Sequence, residues 1–247
     1  MLLFLKAKRN KMLKENKILT YFAYALGEIG LVVVGILLAI QIDDWNRDRE
    51  LNQQELASYE LIIIDLKRDS ALFSNYQRNY TLFLDTYFKI HRMTSEGGSF
   101  QQLVPDLVVS NVQFNPVTKN NHQITIEKLR DSQIRERIND YFGGLNLVAQ
   151  ATQEFNNLIT DESRPYLLSE KNIFNYETVF DDEDRTFPPF KGASTIDTLQ
   201  MKKVMMEPKF LPILAQLRMS MGFYLASLER SISENNKLIK ELQQKIK

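Results

Sequence analysis

The sequence predicts an all-α protein: one N-terminal transmembrane helix continuing into an extracytoplasmic bundle of long antiparallel helices with irregular loops. Three observations predict it. The 22 residues from Tyr21 to Ile42 are apolar except for Glu28 and Gln41. Two long stretches, 56–91 and 214–242, place apolar residues at every third or fourth position, the stripe of packed helices. No stretch alternates apolar and polar residues as a half-buried strand would.

Composition sets the outer bounds. The chain has 247 residues, and what lies beyond the apolar run suffices for one well-cored domain or two small ones. There is no cysteine, which excludes disulfides, Fe–S clusters, thiolate zinc sites and cysteine nucleophiles. Net charge is zero but uneven. Residues 1–20 carry six Lys or Arg (Lys6, Lys8, Arg9, Lys11, Lys14, Lys17) against Glu15, leaving 25 basic and 30 acidic residues beyond them. That mildly acidic balance argues against a nucleic-acid partner.

Three regions follow: a basic cytoplasmic segment (1–20), a transmembrane helix (21–42) and an extracytoplasmic helical domain (43–247). Leu2, Leu3, Phe4, Leu5, Met12 and Leu13 among the lysines suggest a short amphipathic helix on the inner membrane surface or a plain topogenic tail. Twenty-two residues of helix span about 33 Å, enough for a bilayer core of about 30 Å. Basic residues before the span and Asp43-Asp44 after it place the N-terminus in the cytoplasm of a single-pass inner-membrane protein, with the rest periplasmic. The apolar run is too long for a cleaved signal peptide, and QIDDWN after it lacks a small-x-small cleavage pattern, so the span reads as an uncleaved signal-anchor.

The span carries three features. Ala23 and Gly27, and again Gly35 and Ala39, are four apart and give a small-residue face for another helix. Glu28 is an intramembrane acid, a functional candidate by default. The plainer alternative is that it snorkels to the inner interface or is protonated. Tyr21, Tyr24 and Trp45 fit interfacial anchors.

Tyr24-Ala25-Leu26-Gly27-Glu28-Ile29, then Val34-Gly35-Ile36-Leu37-Leu38-Ala39-Ile40-Gln41-Ile42, then Trp45-Asn46, resemble the hallmark of an uncharacterised Bacteroidota family of small single-pass membrane proteins, a domain of unknown function. Its members usually carry this block after a short basic segment and before a helical domain, with Asn-Asn where this chain has Asp43-Asp44. A weaker likeness covers 126–130 and 138–142. The resemblance implies topology and envelope location, and no activity or functional residue.

Beyond the span, 43–94 has neither Pro nor Gly, and its stripe runs through Leu56, Tyr59, Ile63, Leu66, Phe73 and Tyr87. The spacing predicts one helix, continuous with the span and ended by Glu96-Gly97-Gly98. A short helix over 100–110, broken at Pro105, and a polar loop over 111–121 come next. A second helical region is expected over 123–160, with a kink or close crossing at Gly143-Gly144 and a stop at Pro165. Residues 166–194 read as irregular, with the acidic run 181–184 as a solvated loop that lacks EF-hand spacing. Ser194 or Thr195 is expected to cap a short helix through Met206, and Pro208 and Pro212 to open a final helix. The two long coiled-coil-like seams should meet, with Ser70 and Gln77 facing Ser231 and Asn235 as polar layers.

Chemistry-bearing patterns are sparse. His91 and His122 lie in different segments without a ligand motif, and His91 falls on the first seam. The sequence holds no GxGxxG, P-loop or GxSxG pattern. Arg130, Arg135 and Arg137 near Asp131, Glu136 and Asp140 suggest surface ion pairs at helical spacing, with an anion site as the alternative. No catalytic, cofactor-binding or metal residue is expected, and no cofactor. The expected function is that of a non-enzymatic, membrane-anchored envelope protein that binds or scaffolds a partner. That partner would be a second copy (a homo-oligomer) or an envelope membrane protein, and the surroundings include the lipid bilayer. Two further readings are an accessory subunit of an ion-motive-force-coupled complex using Glu28, and an extracytoplasmic ligand sensor.

Overall fold

In a computed structural model, residues 18–96, 105–180 and 196–246 are described. They are all-α: helices and loops, with one isolated antiparallel bridge between Phe174 and Ile196. The chain divides into two compact units, Met1–Ala57 and Ser58–Lys247.

The first unit holds the start of α1 (Ile18–Glu96), a single helix of 79 residues. Its side chains from Phe22 to Ile42 are exposed or half-exposed. Helical geometry satisfies every backbone group within the segment, so Gly27, Gly30 and Gly35 are tolerated in an apolar setting. Asp44 and Arg47 form a local ion pair at 3.0 Å, and Asn46 donates to Glu50 at 3.3 Å.

The second unit is the bundle. It contains α1 from Ser58 onward, a 3₁₀ turn (Pro105–Val108), α2 (Val117–Glu127), α3 (Ser132–Asn157), α4 (Tyr176–Val179), α5 (Thr198–Met205) and α6 (Phe210–Ile246). Leu66, Phe73, Ile138, Phe155, Leu217 and Leu228 are wholly buried at its centre. Each such side chain stabilises the fold by about 1.5–3 kcal/mol.

The direction of each element follows from its contacts. Arg137 meets Glu241, Tyr141 meets Asn235, and Gly144 lies nearest Ser231, so α3 and α6 run antiparallel. Tyr80 packs edge-on to Tyr224 at 5.4 Å, and Arg218 lies 4.7 Å over Phe88, so α6 is also antiparallel to α1. Phe83 meets Phe155 at 6.0 Å, consistent with α3 parallel to α1. Parallel neighbours need a return path, and residues 107–122 supply it. Tyr87 donates to the Leu107 carbonyl, Tyr80 accepts from the Gln113 amide at 2.7 Å, and Phe114 stacks on Phe73. Farther down, Asp69 and Asp65 meet α2.

Several boundaries differ from the sequence expectation. The expected polar loop over 111–121 contains the start of α2, directly after Pro116. The expected helix over 123–160 is broken at 128–131. There Asp131 accepts the Gln133 and Ile134 amides and caps α3. Gly143-Gly144 leave α3 unbroken, and Gly144 marks its approach to α6. Pro165 does not stop the chain's helical course. After Asn157 the backbone widens into π-helical turns over Leu158–Ser163 and Pro165–Glu170. The wider turn relieves the clash a proline ring makes in an α-helix. Asp197, through the Leu199 and Gln200 amides, caps α5; Ser194, Thr195, the acidic run 181–184 and Gly97-Gly98 lie outside the described residues.

Tyr80 and Tyr224 join the two seams, but the polar layers differ from the expectation. Every residue of the second seam is buried, including Ser231 and Asn235. Those two face α3, and Ser70 and Gln77 are only half-buried. The buried polar residues of α1 in the bundle include Asp65 and Asp69.

Candidate functional site

Two places stand out: the exposed apolar surface of α1 and a buried polar cluster in the bundle.

On α1, the most apolar 18-residue window has a mean hydropathy of 2.3 and none of it is buried. By length and composition this helix can cross a membrane. Ala23, Gly27, Gly35 and Ala39 are exposed, and a Cβ built on Gly27 or Gly35 meets nothing within 4 Å. The four do not make one stripe. A step of four residues advances about 40° around an α-helix, so Ala23 and Ala39 point about 160° apart. Ala23–Gly27 and Gly35–Ala39 are therefore two separate small patches. Tyr21, Tyr24 and Glu28 are half-buried, and Trp45 is exposed.

In the bundle, α1 presents Asp65 and Asp69 one turn apart to α2. Asp69, with no exposure at all, accepts the Val117 amide at 2.6 Å and the Thr118 amide at 3.1 Å. These are unsatisfied donors of the first turn of α2, and Pro116 supplies no cap of its own. Asp65 accepts from Arg68 at 2.7 Å and Asn121 at 2.8 Å, and lies 3.0 Å from Nε2 of His122.

The two carboxyls are driven apart. Burial pushes Asp69 up, and Asp65 nearby pushes it further, against the α2 amides that favour its ionised form. Burial opposes ionisation of Asp65 as well. Its bonds from Asn121, His122 and Arg68 outweigh that and hold it below the usual carboxylate value. The arrangement pins α2 to α1. Its chemistry is that of a structural latch: every polar contact of Asp65 and Asp69 described above ends on another protein group. Sequence periodicity missed it because both aspartates sit at helical core positions.

Other expectations are re-sorted. His91, placed on a seam by spacing, is exposed at the rim of a 260 Å³ cleft with Arg218 and Phe88. Arg137 reaches across to α6, bonding Glu241 at 3.2 Å and Glu234 at 3.3 Å, instead of pairing within its own helix. Asp131 pairs with Lys245 at 2.6 Å, and Arg135 donates to the Leu129 carbonyl. A second polar cluster was not anticipated. Tyr166 donates to Glu207 at 2.9 Å, Lys171 pairs with Glu207, and Lys209 pairs with Glu170 at 2.9 Å. Burial and the Glu207 bond push the Tyr166 hydroxyl up to about 12. This cluster ties the π-helical turns to the start of α6. Among the described residues, no group of three or more His, Asp or Glu is placed to hold a metal ion.

Comparison with protein-family models, curated proteins and solved structures gave no match for this chain.

Proposed function

We propose that the protein is a non-enzymatic, single-pass inner-membrane protein with a cytoplasmic N-terminus and a periplasmic helical domain, and that it binds or scaffolds a partner in the envelope. One observation carries this reading: the apolar run from Phe22 to Ile42 lies exposed or half-exposed on α1, with none of it buried. An exposed surface of that size and hydropathy calls for lipid or another helix. The small patches at Ala23–Gly27 and Gly35–Ala39 allow close approach of a second helix. Buried latches at Asp65 and Asp69 hold the domain beyond.

The chain has no cysteine, so single cysteines at Gly27 and at Gly35 report contacts directly. Oxidative crosslinking in membranes and native purification in mild detergent are expected to trap a second copy or recover an envelope protein. A strictly monomeric protein with nothing co-purifying would overturn the reading.

A further inference from the structure

One face of the α3–α6 pair carries a groove whose two ends differ. At the lower end Arg137 bridges the helices through Glu234 and Glu241. Toward the upper end the helices are joined by no such tie among the described residues. There a cleft of about 530 Å³ opens between the π-helical turn and α6. Glu154, Asp161 and Glu162 line its α3 side, and Met219 and Phe223 its α6 side. Lower in the same groove lies Leu147. Positions 147, 154, 158 and 161 step along one stripe of the helix, which joins the two clefts.

The apolar residues in it are conspicuous: Met219 is 70% exposed, Phe223 55% and Leu147 49%. Singly such residues are common on surfaces. Aligned along one groove, they match the Met- and aromatic-rich centre of an interface. The carboxylates select the partner. No Lys or Arg lines the upper cleft, and neither Asp161 nor Glu162 has an ion-pair or hydrogen-bond partner among the described residues. Glu154 accepts only from Gln150. The upper cleft is therefore apolar with a negative rim, whereas the lower cleft around Leu147 carries Arg137 and Arg230 as well as Asp140 and Glu234. From Leu147 to Glu162 the groove runs about 22 Å, roughly four helical turns.

We infer that this groove docks an amphipathic helix of a partner protein, with an apolar stripe flanked by Lys or Arg. A third helix fits the ridge between two antiparallel helices, and basic flanks complete the unpaired carboxylates. The π-helical turn that opens the cleft is the kind of helix defect that recurs at functional sites. This inference rests on the scaffold reading and deepens it by naming a face and a partner chemistry.

The test uses the full chain in neutral phosphatidylcholine nanodiscs with a single nitroxide at Ser220→Cys, and a second variant labelled at Leu82→Cys on α1. The probe is a Leu/Lys helical peptide of about 15 residues, compared with a Leu/Glu peptide of the same apolar stripe. The Lys peptide is expected to immobilise the label at 220 and not at 82, and the Glu peptide to immobilise neither. The exposed triple variant Glu154→Gln, Asp161→Asn, Glu162→Gln is expected to weaken binding about tenfold while keeping its near-ultraviolet circular dichroism. Equal response at both labels, equal response to both peptides, or unchanged affinity in the triple variant would overturn the inference. So would dipolar coupling between labels at 220 without peptide, which assigns the groove to a second copy. None of these failures touches the crosslinks at Gly27 and Gly35, so the two readings fall separately.

Discussion

Asp69 of α1 accepts the Val117 amide at 2.6 Å, 48 residues away in the chain, and so caps a helix to which it does not belong. The side chain is fully buried, and the cap also takes the Thr118 amide. Asp69→Ala leaves the buried Thr118 amide and the half-buried Val117 amide without an acceptor. The expected loss is about 2–4 kcal/mol, read as a shift in the urea midpoint. Amide exchange over 117–127 should rise before that of α6. An unchanged midpoint would show that α2 docks by its apolar contacts alone.

Asp65 makes stability depend on acid. Its folded pKa lies below its ordinary value of 3.8, so its contribution is fully present above that value. It is lost as pH falls through the lower, folded value. Asp69 is raised and acts in the opposite sense, its contribution falling as pH rises from 3.8 to its folded value. Melting curves below pH 5 are expected to fall less steeply for Asp65→Asn than for the parent. The single tryptophan, Trp45, lies outside the bundle unit, so the signal to follow is tyrosine circular dichroism.

Arg137 holds α3 to α6 with a forked guanidinium whose nitrogens reach Glu234 and Glu241. The group is about one-third exposed, so solvent screens it and the expected loss in Arg137→Ala is about 1 kcal/mol. Arg137→Lys should recover only part of this, since an ammonium cannot reproduce the fork. Full recovery by lysine, measured in the same denaturation series, would reduce the site to simple charge attraction.

Gly144 is spared from steric need. A Cβ there would meet only the Ser231 hydroxyl, at an ordinary 3.8 Å. Gly144→Ala is expected to stabilise the bundle by about 0.5–1 kcal/mol through helix propensity. A loss with alanine would mean that the two helices pass closer in solution.

Glu28 separates the two membrane readings. Under the scaffold proposal, Glu28→Gln and Glu28→Ala keep membrane insertion, crosslinking at Gly35→Cys and partner recovery at parental levels. Loss of a membrane-potential-dependent phenotype in both variants would favour the accessory-subunit alternative instead.

Long elements were legible and short ones were not. The seam of α6 was readable residue by residue because nine positions repeat at helical spacing and all nine are buried. Asp131-Ser132-Gln133-Ile134 carried a readable cap signal that the apolar periodicity masked. Nothing local announces α2, because its cap comes from Asp69. Pro165 misled for a related reason: a proline stops an α-helix, but a π-helical turn absorbs it when the flanking residues are packed. Of the candidate site, the apolar run and its small patches were visible in the sequence, whereas the groove exists only where α3 and α6 lie side by side.

The sequence by itself determined the helical class, the 22-residue apolar run and the burial pattern of α6, because periodicity and hydropathy are properties of neighbours in the chain. Tertiary structure alone decided which helices run parallel, that two aspartates latch α2, and that Arg137 clasps one end of a groove left open at the other. Those features join residues as far apart as Tyr80 and Tyr224, and a contact of that range leaves no trace in local spacing.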